Sequence, residues 1–535
     1  MKSIITALLF AASICSINAR DHSRCIIHNG FIYSTETPAS CGHYTKGYEA
    51  NEVELVGCLN PYLFVGKNTL VIPSSFVYDG QEYKVKEIQE KALKDVNNVE
   101  TVIVEEGIVR IRDYAFSDCS SLKTIILPAS LEYVQENIFV GCNSLRKIIL
   151  DPRCEDYSNY GSCLIYKHLS FDQNREDSIS YQLVAACPAT KIPSKVNDIC
   201  ENAFFNMKGI RQVELPRNLK TIRWAAFAGC SNLTQIALPD SLQRIYGVAF
   251  GECNSLTSVY IPKNVRYIDP TAFEHCKNLS SIVVDPENPY YDSRSNCNGI
   301  VRKKDDALVV SCPSTVVTED IKGFEWGCFE RRKLHSIHIP KHIEDFSAAS
   351  FLHCKDVESI TVDPDNPYYM SPEGSNVVLT KDGKTLVMAC RNSRIPEGIE
   401  EIDRYAFTCG YPGKVVELPY GVRKIDEKAF EGCSDITEVI IPASVTEIEP
   451  YAFRNCRNLQ TVQILGPLKK IIYCVFDGCS KLQSVNIPKE CDYVSFDAFR
   501  DCISLKDVQI HSLATRISPS AFSGCSDELQ KQIYK

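Results

Sequence analysis

Residues 256–279 read LTSVYIPKNVRYIDPTAFEHCKNL, and this stretch decides the fold because its pattern returns along the chain. Val259 and Ile261 occupy alternate positions, which predicts a short β-strand with one face turned inward. Pro262 ends that strand, since a proline cannot donate to a β-ladder. An Ala-Phe pair that ends at Phe273 follows after a second, shorter apolar segment. The stretch therefore predicts one turn of a repeating structure.

The phenylalanine of this Ala-Phe pair returns with a period of 23 residues. A phenylalanine, or once a leucine, marks fifteen such positions, of which Phe329 and Phe351 are one residue out of phase. Because each turn has an apolar face that only its neighbours cover, this periodicity predicts a solenoid. We call the fifteen residues the spine: Leu93, Phe116, Phe139, Phe204, Phe227, Phe250, Phe273, Phe329, Phe351, Phe407, Phe430, Phe453, Phe476, Phe499 and Phe522.

The chain contains 26 cysteines, and eleven of them follow a spine residue by three positions. Many cysteines in an exported protein normally indicate disulfides. Here the 23-residue register favours small buried thiols, whose parallel side chains are too far apart to form a bridge. We expect bridges instead among Cys25, Cys41, Cys58, Cys154, Cys163, Cys187, Cys297 and Cys312. The eleven ladder cysteines are Cys119, Cys142, Cys230, Cys253, Cys276, Cys354, Cys433, Cys456, Cys479, Cys502 and Cys525.

The repeat unit is Leu-x-x-Ile-x-Leu-Pro-x-x-Leu-x-x-Ile-x-x-x-Ala-Phe-x-x-Cys. It resembles the Treponema pallidum-type leucine-rich repeat of BspA-like surface proteins over about residues 85–525. The preceding segment, with Gly30-Phe-Ile-Tyr33 and Val71-Ile-Pro73, is similar to the β-rich N-terminal cap of Bacteroidetes members. The resemblance implies an exported, non-enzymatic binding or adhesion protein, and it supplies no catalytic residues.

The predicted fold is a β-rich leucine-rich-repeat solenoid, curved, with about fifteen 23-residue repeats and an N-terminal β cap. Residues 1–19 are expected to be a signal peptide, because Lys2 precedes an apolar run from Ile4 to Ile14, and Ala19 then supplies a small residue suited to signal peptidase. The cap then covers residues 20–84, and the solenoid covers residues 85–535. The expected signal peptide places the mature protein outside the cytoplasm: secreted, at the cell surface or in the periplasm.

The period breaks three times, at insertions near 150–192, 284–318 and 362–395. The second and third insertions share the sequence Val-Asp-Pro-x-Asn-Pro-Tyr-Tyr, which ends at Tyr291 and Tyr369. Alternating apolar runs around a Lys-Asp-Gly-Lys turn in the third predict a β-hairpin. We expect all three insertions to be hairpins that project from the solenoid, the first with a polar loop over residues 171–178.

Several function classes lack the residues that they need. The formal charge of −9 is spread without long runs, whereas nucleic acids and anionic membranes require a basic patch. No phosphate-binding loop, nucleophile elbow, metalloprotease helix or Cys-x-x-Cys pair occurs. His335, His338, His342 and His353 match no metal-ligand spacing and are interpreted as surface residues. We therefore predict neither an enzyme nor a cofactor or metal site.

The outward position between the two inward residues of each strand varies freely, and this face suits a protein partner. In the simplest interpretation, the shared Tyr-Tyr element forms the turn by which the chain leaves the solenoid. Binding of a sugar by stacking on these tyrosines is an open alternative. We predict a macromolecule-binding protein, in adhesion or protein–protein interaction. Open alternatives are a scaffolding component of the envelope and a carbohydrate-binding module. The candidate partner-binding residues are Tyr260, His338, Tyr290, Tyr291, Tyr368, Tyr369, Glu214 and Glu417.

Overall fold

A computed structural model describes residues 25–35, 51–58, 68–160, 162–170, 178–188, 191–512 and 514–534. It divides into two compact units, residues 1–290 and 291–535, and each is described by itself. The expected signal peptide, Cys41 and most of the expected polar loop lie outside the described residues. In the described part of the chain, no helix has the length and hydropathy of a membrane span.

The first unit is built from strands, most of them two or four residues long. These are β1 (Cys25–His28), β2 (Phe31–Ser34), β3 (Glu52–Cys58), β4 (Thr69–Ile72), β5 (Ser75–Tyr78), β6 (Gln81–Ile88), β7 (Thr101–Val104), β8 (Arg110–Ile111), β9 (Thr124–Leu127), β10 (Tyr133–Val134), β11 (Lys147–Leu150), β12 (Tyr157–Tyr160), β13 (Cys163–Ser170), β14 (Ser178–Ala185), β15 (Asp198–Ile199), β16 (Thr221–Ile222), β17 (Arg244–Ile245), β18 (Ser258–Ile261), β19 (Tyr267–Ile268) and β20 (Ser281–Val284).

The second unit continues the same alternation of longer and shorter strands. Its strands are β21 (Tyr291–Asp292), β22 (Ile300–Arg302), β23 (Ala307–Val310), β24 (Gly323–Phe324), β25 (Ser336–Ile339), β26 (Ser359–Val362), β27 (Tyr369–Met370), β28 (Val377–Thr380), β29 (Thr385–Ala389), β30 (Glu401–Ile402), β31 (Val415–Glu417), β32 (Lys424–Ile425), β33 (Glu438–Ile441), β34 (Glu447–Ile448), β35 (Thr461–Ile464), β36 (Lys470–Ile471), β37 (Ser484–Ile487), β38 (Tyr493–Val494), β39 (Asp507–Ile510) and β40 (Arg516–Ile517). Two 3₁₀ helices (Arg294–Asn296 and Ala348–Phe351) and one α-helix, α1 (Asp527–Ile533), complete it.

Most turns contribute one strand to each of two parallel ladders. In the first unit the long ladder runs β4-β7-β9-β11, and the short ladder of two-residue strands includes β15-β16-β17-β19. The register repeats with the sequence period, as in Ile125 opposite Ile148 and Ile222 opposite Ile245. The predicted solenoid and its 23-residue register are therefore confirmed.

Parallel pairing begins before residue 85. Strand β4 pairs with β7, so that Leu70 lies opposite Val102, and β3 pairs with β6, so that Val53 lies opposite Val85. Strands β1, β2 and β3 form an antiparallel sheet at the N-terminal end of the short ladder, which continues through β6, β8 and β10. The segment expected to be a cap thus combines an antiparallel sheet with turns that already follow the parallel ladder.

The three insertions form the expected hairpins but are attached differently from the expectation. In each, three antiparallel strands lead into the short ladder, because the last strand pairs in parallel with the next turn. Leu183 and Leu386 in those last strands are fully buried. These last strands therefore join the core through their buried residues. The solenoid accordingly has about 18 turns, more than the fifteen that the spine marks.

The spine phenylalanines form stacks inside each unit. Consecutive rings in the run from Phe407 to Phe522 lie 4.5–5.4 Å apart, nearly parallel. Fourteen of the fifteen spine residues are at most 4% exposed, and Phe329 is partly buried. The backbone N–H of Phe430 donates to the carbonyl of Ala452, one residue before the next spine position.

Near each spine residue, the backbone adopts the left-handed conformation two residues before the spine position, two residues after it, or at both. The residue two positions after a spine phenylalanine has a positive φ in most turns, as at Asn455 and Gly478. Glycine, asparagine and aspartate tolerate this conformation best. A Cβ on Gly478 would lie 2.5 Å from Oδ1 of Asn455, so the asparagine of one turn requires glycine in the next.

The eleven ladder cysteines are buried and donate one common hydrogen bond. Each Sγ lies 3.0–3.5 Å from the backbone carbonyl oxygen of the spine residue in the preceding turn. Burial raises the pKa of Cys230 and Cys433 to about 12. The thiols therefore serve as hydrogen-bond donors as well as small apolar side chains.

The thiol ladder is expected to be unreactive in the folded protein and reactive after unfolding. A buried thiol with a raised pKa holds little thiolate, which is the form that alkylating reagents attack. Iodoacetamide should modify most of the eleven cysteines in denaturant without reductant, and few of them in buffer, as counted by mass spectrometry. Disulfides that systematically join neighbouring turns would contradict the parallel arrangement of these side chains.

Candidate functional site

The outward face of the long ladder is exposed where its inward face is buried. In β18, Val259 and Ile261 are at most 4% exposed, while Tyr260 between them is 47% exposed. Tyr260 lies opposite Val283 of β20, which is 44% exposed. Desolvation and a hydrogen bond with the Asp285 side chain raise the pKa of Tyr260. We call this the strand face, and Tyr260 is its aromatic residue in β18–β20.

An apolar row occupies the same outward position in the four N-terminal strands of this ladder. Val71, Ile103, Ile126 and Ile149 lie opposite one another in register. Val71 and Ile149 are 43% and 42% exposed, and the two central isoleucines are half-buried between them. Adjacent strands are about 4.8 Å apart, so the four side chains form one continuous apolar strip.

In the second unit the same position is polar in most strands. His338 is exposed, and its Nδ1 lies 3.0 Å from Oγ1 of Thr361 in the neighbouring strand. Glu417 is exposed and lies opposite Ile440. Asn486 bonds back to the backbone of Ile464, through Oδ1 to the N–H and through Nδ2 to the carbonyl. The strand face is therefore chemically mixed and partly occupied by its own hydrogen bonds.

Glu214 is exposed, but its turn contributes no strand to the long ladder. Over residues 212–215 and 235–238 the chain carries the repeat pattern without β pairing. The bonds here run from the N–H and Oγ1 of Thr234 to the single carbonyl of Arg211. One shared acceptor does not make a ladder, so the expectation of an outward strand position at Glu214 is wrong.

The two Tyr-Tyr elements are held by a buried asparagine. Nδ2 of Asn288 donates to the carbonyls of Pro262 and Val265 at 2.9 and 3.0 Å, and Oδ1 accepts from the N–H of Tyr290. Asn366 makes the equivalent bonds in the second unit. The sequence that these two elements share therefore forms a turn, as its simplest interpretation predicts.

The two tyrosines of each element lie in different environments. Tyr290 and Tyr368 are 48% and 46% exposed, whereas Tyr291 is 6% exposed. The half-buried ring of Tyr369 packs against Phe346 at 5.1 Å, and its hydroxyl accepts from the Phe346 N–H at 3.4 Å. Tyr291 and Tyr369 thus belong to the interior, and only the first tyrosine of each pair is available at the surface.

A third copy of this element precedes the first hairpin and was not recognised in the sequence. Asp151 accepts from the N–H of Arg153, and Sγ of Cys154 donates to the Leu131 carbonyl, as Asn288 does to Val265. The buried hydroxyl of Tyr157 accepts from the Val134 N–H at 2.8 Å. Cysteine in place of asparagine hid the match, although an Asp-Pro pair begins all three copies.

The remaining candidates are the clustered histidines and the cysteines of the hairpins. No cluster of three or more histidine, cysteine or acidic side chains with metal-binding geometry occurs in this part of the chain. Burial lowers the pKa of His342 and His353. Cys297 and Cys312 donate to the carbonyls of Gly299 and Asn298, respectively, and each carries a thiol.

The BspA-type leucine-rich repeat region matches residues 81–180, 177–298, 310–371 and 400–528, in six copies. A search of curated proteins gives no match. Among solved structures, a leucine-rich repeat protein from Bacteroides ovatus is 20% identical (92% of this chain, 99% of that chain, TM-score 0.30). A leucine rich cell surface protein from Faecalibacterium prausnitzii is 18% identical (95% and 100%, TM-score 0.32).

The T. pallidum leucine rich repeat protein is 15% identical, with 79% of this chain and 90% of that chain covered at a TM-score of 0.12. The family model covers well over half of the residues, and the register, the spine and the thiol ladder repeat with the same period. The chain belongs to the BspA-type leucine-rich repeat family.

Proposed function

We propose that this chain is an exported surface protein that binds a protein partner, in adhesion, without turning it over. The observation that supports this function is the contrast along the long ladder. Inward residues such as Val259 and Ile261 are uniformly apolar and buried, whereas outward residues such as Tyr260, His338 and Glu417 are exposed and differ from turn to turn. Extended solenoid faces of this kind serve as recognition surfaces.

Tyr260 is the residue on which we expect binding to depend most. Interface hot spots favour tyrosine, tryptophan and arginine, and Tyr260 presents about half of its surface next to the exposed Val283. Tyr290 and Tyr368 are the corresponding candidates at the two Asn-held turns. Each unit carries its own candidates, so each can be tested separately.

Changing Tyr260 to alanine is expected to weaken partner binding at least about fivefold, or about 1 kcal/mol. The melting temperature should barely change, because an exposed side chain contributes little to folding. A pull-down with residues 20–535 against purified host and bacterial surface proteins supplies the partner, and a calorimetric titration compares the parent with the variant.

Tyr420→Ala is the matched control, because Tyr420 is 80% exposed and lies outside the strands. Equal affinity for the Tyr260, Tyr290 and Tyr368 variants and this control would place the binding site elsewhere. Location is tested separately by protease treatment of intact cells. A chain that is cleaved only after the envelope is opened would contradict surface exposure and favour an envelope scaffold.

A further inference from the structure

A group of exposed aromatic side chains lies along the short ladder of the first unit. Strands β16, β17 and β19 are paired in register with a step of 23 residues. Trp224, Tyr246 and Tyr267 are 48%, 38% and 41% exposed, and the rings of the two tyrosines are 5.3 Å apart. We call these three residues the aromatic platform. It lies outside the strand face, because its residues border the short ladder.

Two tyrosines elsewhere along the short ladders, one exposed and one half-buried, are covered by cations of the chain itself. The guanidinium of Arg112 lies 5.7 Å from the ring centre of Tyr133, and that of Arg516 lies 5.8 Å from Tyr493. Among the described residues, no lysine or arginine lies over the ring of Trp224 or Tyr246. These two rings are therefore partly exposed without a covering cation, so that a ligand can stack on their exposed parts.

A buried glycine without room for a side chain adjoins the platform. Gly247 is buried and occupies the position that follows Tyr246, next to Trp224 of the preceding turn. A Cβ at Gly247 would lie 3.1 Å from Oγ1 of Thr271 and 3.3 Å from Oδ1 of Asp269. Asp269 accepts a hydrogen bond from the Thr271 hydroxyl at 2.6 Å, which fixes the carboxylate beside Gly247.

The two arginines beside the platform, Arg223 and Arg244, differ in whether they form an ion pair. Arg223 makes a bidentate ion pair with Asp198, from Nε to Oδ1 at 3.1 Å and from Nη2 to Oδ2 at 2.7 Å. Arg244 lies between Thr221 and Tyr267 in register, and its guanidinium has no ion-pair partner among the described residues. A planar guanidinium binds a carboxylate in two parallel hydrogen bonds. The platform thus adjoins one cation that is available to an acidic group.

We propose that the aromatic platform binds an acidic oligosaccharide, one whose sugar rings carry carboxylates. The apolar face of a sugar ring would stack on Trp224 and Tyr246, while Arg244 would bind the carboxylate. The core of a protein interface is depleted in charged residues, whereas here charged side chains alternate with the rings at a spacing of one or two residues. Rings interleaved with polar groups fit a ligand that combines apolar faces with many hydroxyls.

The chain offers its own spectroscopic probe, because it contains only two tryptophans, Trp224 and Trp326. In a Trp326→Phe background, fluorescence reports on the platform alone. The full chain in this background is titrated with tetrasaccharides of galacturonate, hyaluronan and alginate, and with neutral cellotetraose. We expect a saturable change in Trp224 emission with at least one acidic tetrasaccharide. Cellotetraose should bind at least tenfold more weakly.

Tyr246→Ala and Arg244→Gln should each raise the dissociation constant at least tenfold. Tyr133→Ala is the matched control, since Tyr133 is similarly exposed but covered by Arg112, and it should leave the constant within twofold. Unchanged circular dichroism melting verifies that the variants fold. Absence of saturable binding for all three acidic sugars, or binding that both platform variants retain, would overturn the proposal. Equal affinity for cellotetraose would overturn its acidic part.

The result is independent of the protein-binding function proposed above. Tyr260→Ala should leave the sugar affinity unchanged, because Tyr260 lies on the long ladder and the platform lies along the short one. Loss of sugar binding in that variant would contradict the separate platform. Failure to find a protein partner, in turn, would leave the fluorescence titration unaffected.

Discussion

Replacing Phe430 with alanine is expected to lower the free energy of unfolding by about 3–5 kcal/mol, in the range of large core truncations. The side chain is fully buried, and its ring lies 4.5 Å from that of Phe407 and 4.8 Å from that of Phe453. Removing it deprives two neighbouring turns of contacts at once and leaves a cavity that the rigid ladder cannot close. Urea unfolding followed by circular dichroism measures the difference.

Phe496→Ala is the control for this loss. Phe496 is 50% exposed and stacks on Tyr473 at the surface, so its removal should cost about 1 kcal/mol or less. A Phe430 variant that unfolds within about 0.5 kcal/mol of the parent would show that the spine is not the core of the solenoid.

The second large effect is expected at Asn366, whose replacement by alanine should cost about 2–4 kcal/mol, since each buried polar group left without a partner costs about 1–3 kcal/mol. Asn366 is fully buried, donates to the carbonyls of Pro340 and Ile343, and accepts from the N–H groups of Tyr368 and Tyr369. Alanine leaves these backbone groups unpaired at the start of the hairpin. The same urea titration measures the loss.

Asn392→Ala is the control, because this exposed asparagine makes a single side-chain bond, to the Glu358 carbonyl at 3.3 Å. Its loss should stay within about 0.5 kcal/mol. If the Asn366 and Asn392 variants unfold alike, the buried asparagine does not hold the turn.

The spine and the ladder cysteines were predictable because every turn repeats the same local constraint. A residue such as Phe430 must be apolar in each copy, since the neighbouring turns are its only cover. The left-handed positions near the spine were visible as glycine, asparagine and aspartate two residues after the phenylalanine, as at Asn455 and Gly478. They went unrecognised, because exceptions such as Glu252 and His353 interrupt the pattern.

The candidate site was predictable only in part. Alternation along β18 correctly indicates that Tyr260 faces outward, because side chains of a strand alternate between its faces. The same rule does not distinguish Tyr290 from Tyr291, whose exposures depend on how the chain leaves the ladder at Asn288. Trp224 and Tyr246 were also missed, since the short strands beside them are too brief to show a period.

The sequence by itself determined the repeat length, the parallel register and the buried phenylalanine stack, because each of these follows from contacts between residues 23 positions apart. Only the tertiary structure decided how the hairpins join the short ladder and which aromatic rings remain uncovered. The exposure of each ring depends on residues that differ from turn to turn, such as Arg112 over Tyr133 and Gly247 beside Trp224. Periodicity specifies what all turns share, and exposure at a particular turn is set by the neighbours that it alone has.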